Sequence, residues 1–186
     1  MSDKLRPHVA LVGLMGAGKT VVGAALSRKS SHRHIDLDRW IQNNYGRSIG
    51  VIFEEKGEEG FREIETDALK KVLEMKDPIV LSTGGGVVVS SVNREVIREN
   101  SYVIWLKATP EGLAKRVGNG ESRPLLKGKN PLQVLQSLSK EREELYEETA
   151  DFVINVENGS VRDISQQILE LNILSCLLYT SDAADE

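Results

Sequence analysis

The segment Gly13-Leu14-Met15-Gly16-Ala17-Gly18-Lys19-Thr20 follows an apolar run at 9–12 and precedes helix-forming residues. Its spacing is G-x-x-x-x-G-K-[ST], and each position has a chemical reason. Glycines let the backbone N–H groups of Gly16, Ala17 and Gly18 converge on phosphate oxygens without a side chain in the way. The helix that starts there directs its positive end at the same anion. Lys19 can reach β and γ phosphates, and the Thr20 hydroxyl can ligate the magnesium bridging them. A glycine-rich strand-to-helix turn alone would be ambiguous. With the Lys-Thr pair and these flanks, the segment predicts binding of ATP with Mg2+.

Two further segments carry chemistry. Asp36-Leu37-Asp38 closes the second predicted strand. A turn beginning at Asp38 would let the carboxylates diverge, Asp36 holding magnesium with Thr20 and Asp38 meeting an acceptor hydroxyl. The simpler alternative is a helix-capping aspartate followed by a solvated one. Ser82-Thr83-Gly84-Gly85-Gly86 follows the third strand. Many phosphate-loop proteins end this strand with a metal-orienting acid; Ser82 stands there here, which leaves the metal to Thr20 and Asp36. The glycines allow either a turn of positive φ or a close approach of ligand to backbone.

These residues need a scaffold that brings loop ends together, and the hydrophobic pattern supplies one. Predicted strands at 9–14, 33–37, 79–82, 102–106 and 152–156 alternate with helical patterns. The helices are expected at 18–29, 37–45, 48–55, 58–75, 91–99, 110–117, 131–149 and 160–171. Short apolar strands alternating with longer helices predict an α/β fold of three layers, a five-stranded parallel sheet with helices on both faces. Its ligand should lie beyond the carboxyl ends of the strands. Residues 1–171 read as one phosphate-loop kinase domain. Within it, 38–75 is a helical acceptor-binding insertion and the Gly/Lys/Asn-rich 118–130 a lid. Residues 172–186 read as a non-native or disordered tail.

The whole chain has 186 residues, 40% of them hydrophobic, and a net charge of -4. That size suits one core. The acidic balance predicts a small-molecule partner rather than nucleic acid. One cysteine, Cys176, allows no disulfide within the chain and no cysteine-rich zinc site. His8, His32 and His34 lack metal-site spacing and are expected at strand edges. Met1-Ser2-Asp3-Lys4 runs straight into the first strand and no apolar run is long enough to span a bilayer. The expectation is a cytoplasmic protein, with no membrane partner, that works as a monomer.

Taken in order, Gly13–Thr20, Asp36-Leu-Asp38, Gly46-Arg-Ser-Ile-Gly-Val-Ile-Phe53, Gly57-Glu-Glu-Gly-Phe-Arg62 with Glu65, Thr83-Gly-Gly-Gly86, Arg123-Pro-Leu-Leu126 and Arg142-Glu-Glu-Leu-Tyr146 resemble shikimate kinase over 9–171. The phosphate loop is generic to many kinases, whereas the later motifs in this order are specific. The resemblance implies ATP-dependent phosphorylation of the 3-hydroxyl of shikimate, in aromatic amino-acid biosynthesis. It further implies Asp38, Arg62, Gly85 and Arg142 as shikimate contacts, with Lys19, Asp38 and Arg123 catalytic. Arg123 would swing from the lid onto the phosphates, Arg116 would pack on adenine, and Asn158 would fall in the adenine loop. Glu65 would hold an arginine in place, and Phe53 and Phe61 would either wall the ring or pack in the core. The chemistry suits the residues: arginine forks grip a carboxylate in bidentate fashion. Taken singly, Arg62 and Arg142 could equally be surface ion pairs. Two other functions stay open: another small-metabolite kinase of gluconate type, and a nucleotide-binding module without acceptor chemistry.

Overall fold

Strand β1, His8–Val12, is buried at every residue, as a strand covered on both faces should be. It lies at the centre of one parallel sheet with β2 (Arg33–Asp36), β3 (Ile79–Ser82), β4 (Ser101–Lys107) and β5 (Phe152–Asn155), in the order β2-β3-β1-β4-β5. The computed structural model describes residues 6–118 and 125–174. Right-handed crossovers between parallel strands put α1 (Lys19–Lys29) on one face, where it packs against α7 (Val161–Glu170). The same rule sends α3 (Ile49–Leu73), α4 (Ser91–Asn100) and α6 (Pro131–Thr149) to the other face, joined by α2 (Leu37–Tyr45) and α5 (Pro110–Val117). The α/β class, the five strands and their direction are as the sequence predicts.

Local chemistry sets the element ends that matter for the site. Strand β1 stops at Val12 because Gly13 has φ 138°, so residues 13 and 14, expected as strand, are loop. Helix α2 begins at Leu37, since the Asp36 carboxylate accepts the Arg39 N–H at 3.0 Å as an N-cap. Helix α3 joins the two helices expected at 48–55 and 58–75, with a break between them at Gly57 (φ 70°, ψ -176°). A turn of 3-10 helix at Val87–Val89 was not foreseen; no element was expected between the third strand and the helix at 91–99. Ile173 and Leu174 are buried in the core, so packing continues past Leu171; residues 175–186 of the expected tail lie outside the described residues. Among the described residues no helix is long and apolar enough to cross a membrane.

The histidines depart from expectation. His34 lies on the edge strand β2, but His8 is on the central strand and His32, just before β2, is almost fully buried. His8 Nε2–H donates to the Leu73 carbonyl at 3.1 Å while its Nδ1 accepts the Ile79 N–H at 3.4 Å. This pairing requires the neutral ring. Both His32 ring nitrogens are buried without a hydrogen-bond partner among the described residues. Burial holds both imidazoles below their ordinary pKa, and for His32 the neighbouring His8 adds to the effect. The unfolded chain therefore binds protons that the folded chain refuses, from about pH 6.5 downward. Unfolding free energy measured in urea should fall from pH 7.5 to pH 5.5, with a slope approaching ~1.4 kcal/mol per pH unit for each histidine. His32→Leu should flatten that slope; an unchanged slope would contradict the assignment.

Candidate active site

The phosphate-loop segment folds as its spacing requires. Gly13 passes so close to β4 that a Cβ there would lie 2.6 Å from the Leu106 carbonyl oxygen and 3.4 Å from Trp105. Lys19 is only 8% exposed, and its ammonium donates to the Gly13 and Leu14 carbonyls at 2.6 and 3.0 Å. Gly18, the N-cap of α1, brings no side-chain cap, which keeps the first N–H groups of that helix for the loop it faces. Thr20 Oγ1 donates to Asp36 Oδ2 at 2.6 Å. Of the roles weighed from the sequence the helix cap is present: one Asp36 oxygen caps α2, and the other accepts from Thr20. Below them, Ser82 Oγ donates to the Lys19 carbonyl at 2.8 Å and accepts from His34 Nε2 at 2.9 Å. That bond ties β3 to the peptide joining Lys19 and Thr20.

One pocket of about 370 Å3 adjoins this loop, with Leu14 and Met15 in its wall. Asp38, Arg62, Gly85 and Arg142, drawn from four separate segments of sequence, all line it. Asp36 and Asp38 diverge as expected, because α2 starts between them and turns Asp38 toward the pocket while Asp36 stays with Thr20. Phe53 and Phe61 stack with ring centroids 4.5 Å apart and form an apolar wall. The Arg62 guanidinium lies 5.5 Å from the Phe61 centroid. Arg142, set in an acidic helix, is buried: at 4% exposure it donates from Nη1 to the Gly85 carbonyl at 3.1 Å and from Nε to the exposed Glu141 carboxylate at 3.3 Å.

The cations are held by an unusual set of acceptors. Arg62 Nη1 donates to Glu65 Oε2 at 2.8 Å and Nη2 to Glu58 Oε1 at 3.1 Å. Burial works against the Arg62 charge, yet Glu65 and Glu58 hold its pKa above the ordinary value. Glu65 is fully buried, and burial pushes its carboxyl upward while Arg62 draws it back. The triple glycine explains itself here. A Cβ on Gly86 would overlap the Arg62 guanidinium, and one on Gly84 would come within 2.7 Å of Glu65 Oε1. Close approach, rather than positive φ, is the reason for these glycines.

At the far side of the loop, Arg116 donates to the carbonyls of Val156 and Glu157. The Glu157 carboxylate accepts the Thr109 N–H at 2.8 Å and its hydroxyl at 2.9 Å, so its pKa lies below the ordinary carboxylate value. Asn158 is exposed beside this clip. Arg123 lies outside the described residues. Sequence reasoning missed Glu157, and it missed that Tyr146 O–H donates to the Gly85 carbonyl at 2.6 Å. The i, i+4 spacing of Arg142 and Tyr146 was the available signal for the second, since it puts both on one helix face.

A parallel sheet of this order, a phosphate loop opening α1, and an adjoining polar pocket define a P-loop phosphotransferase with a small acceptor. The sequence profile described as "Shikimate kinase" matches residues 15–172. The shikimate kinase of Dictyoglomus turgidum is 43% identical over 169 residues, covering 89% of this chain and 97% of its own. The solved shikimate kinase of Acinetobacter baumannii in complex with shikimate superposes with a TM-score of 0.87 at 38% identity, over 94% of this chain and 97% of that one. A gluconokinase from Sinorhizobium meliloti shares the fold alone, at 18% identity and a TM-score of 0.58, over 95% of this chain and 98% of its own. The chain belongs to the shikimate kinase family.

The Arg62–Glu65 pair yields a stability prediction. Removing the buried partner leaves the Arg62 guanidinium with only the solvent-exposed Glu58 carboxylate, in a site that water reaches only in part. Glu65→Ala should cost about 3 kcal/mol in urea unfolding, and Glu65→Gln should cost less because the amide oxygen still accepts. Equal stability of Glu65→Ala and the parent would show that the pair does not hold Arg62.

Proposed function

We propose that this chain transfers the γ-phosphoryl group of ATP to the 3-hydroxyl of shikimate, giving shikimate 3-phosphate and ADP. The observation that carries the reading is the convergence of Asp38, Arg62, Gly85 and Arg142 on one pocket walled by the phosphate loop. Its volume falls in the lower part of the range for small-molecule sites, roughly 300–1,000 Å3. Arg62 and Arg142 would fork onto the carboxylate, while the Phe53–Phe61 stack would lie against the ring. That flat apolar wall favours a cyclic acceptor over an open-chain sugar acid.

In this reading Asp38 accepts a hydrogen bond from the attacking hydroxyl and takes its proton as the oxygen bonds to the γ-phosphorus. The bond from that phosphorus to the β–γ bridging oxygen breaks, and the electron pair leaves with ADP. Lys19 moves its ammonium from the loop carbonyls to the phosphates, and Arg123 adds positive charge from the lid. Thr20 and Asp36 are the residues that would hold Mg2+. They fit: both offer hard oxygen donors, already 2.6 Å apart, and magnesium is commonly bound by one or two such groups with water and phosphate. When bound, the ion would neutralise phosphate charge. Gly16, Ala17 and Gly18 would cradle phosphate, with Arg116 and Asn158 at the adenine end. We take the enzyme to be a cytoplasmic monomer with one kinase domain.

The test is ADP release on adding shikimate. Wild-type protein should turn over, Asp38→Asn should lose about 10^2–10^4-fold in kcat, and Arg62→Ala should lose mainly in the shikimate KM. Turnover that ignores shikimate, or is unchanged in both variants, would refute the reading.

A further inference from the structure

The Gly85 carbonyl receives two donors from one helix: Arg142 Nη1 at 3.1 Å and Tyr146 O–H at 2.6 Å. Tyr146 sits one turn beyond Arg142 on α6 and is only 1% exposed. Its ring stacks on Trp105, centroids 5.4 Å apart and planes within 19°. Trp105 in turn stands where Gly13 crosses β4, close enough that a Cβ on Gly13 would touch its indole. A small recess between Leu14, Trp105 and Tyr146 shows the same three residues sharing one wall behind the phosphate loop. Leu14 faces this recess and the acceptor pocket alike.

We propose that Tyr146 is a positioning residue that fixes the acceptor end of the pocket relative to the phosphate loop. The argument starts from the arginine. Arg142 is oriented by its own bonds, Nε to the exposed Glu141 carboxylate and Nη1 to a carbonyl of the triple-glycine segment. A glycine carbonyl with a single arginine donor would follow that arginine. The phenol prevents this: it pins the 85–86 peptide plane from the protein side, against a ring braced by Trp105. Arg142 then has a fixed point to bond. Burial raises the phenol's pKa well above its ordinary value, so the hydroxyl remains a donor throughout the working range. Tyr146 does not line the acceptor pocket, and its effect runs through Gly85 and Arg142, which do.

This inference rests on the proposed acceptor reading for its kinetic test, and a second measurement frees it from that dependence. Tyr146→Phe keeps the ring stack and removes only the hydroxyl. It should raise the shikimate KM about tenfold, leave the ATP KM within about twofold and change kcat little. A purely structural role would lower melting temperature without separating the two KM values. Amide hydrogen exchange, read without any acceptor, should quicken across residues 84–89 in Tyr146→Phe while residues 13–20 keep wild-type rates. Unchanged shikimate KM in an active variant overturns the proposal, as does unchanged exchange at 84–89. Wild-type protein inactive with shikimate refutes the function instead, and exchange alone then decides the role of Tyr146.

Discussion

Three cations, Lys19, Arg62 and Arg142, must be kept at one end of a small sheet without their charges being cancelled. Like charges brought together in a partly dry site repel, and a full complement of carboxylates would neutralise the anion-binding power that gathers them. The fold meets the constraint by using backbone carbonyls as acceptors alongside carboxylates. Lys19 donates to the Gly13 and Leu14 carbonyls, and Arg142 to the Gly85 carbonyl and to the exposed Glu141 carboxylate. Arg62 alone takes a buried carboxylate, Glu65, together with the half-solvated Glu58. In the proposed function these cations serve two anions, one at the phosphate loop and one in the adjoining pocket.

The glycines follow from the same constraint. Carbonyls can serve as acceptors for buried cations only where the backbone comes close to side chains, and Gly84 and Gly86 mark where it does. The second layer is equally consistent. Ser82, standing where other phosphate-loop proteins carry an acid, bonds the Lys19 carbonyl and is itself held by His34. A carboxylate there would face a carbonyl, whereas a hydroxyl donates to it. In the proposed mechanism Thr20 and Asp36, whose side chains meet, are the residues that would hold magnesium.

Much of this was legible in the sequence, and the residues show why. The phosphate loop, the strand alternation and the break near Gly57 are local signals, written in spacing, hydrophobic period and turn chemistry. Asp38, Arg62 and Arg142 were legible through motif order, but their convergence depends on crossovers that no local pattern records. Reading Arg142 from its acidic neighbours alone pointed to the surface. Burial of α6 against the sheet reversed that, because helix face and not neighbouring charge decides where a side chain goes. The bonds of His8, Tyr146 and Glu157 depend on partners tens of residues away in sequence, and His32 is buried with no hydrogen-bond partner among the described residues, which no local pattern records.

The central claim, that paired guanidinium groups grip a carboxylate beside the phosphate loop, is tested most directly by changing that carboxylate alone. ATP-dependent turnover of shikimate should be compared with that of its carboxamide, in which the ring and hydroxyls are intact and only the charge is gone. Loss of the charge-assisted bonds should lower kcat/KM by about 100-fold in the wild-type enzyme, and the gap should narrow sharply in Arg62→Ala and Arg142→Ala. Equal turnover of acid and amide by the wild-type enzyme would contradict the account.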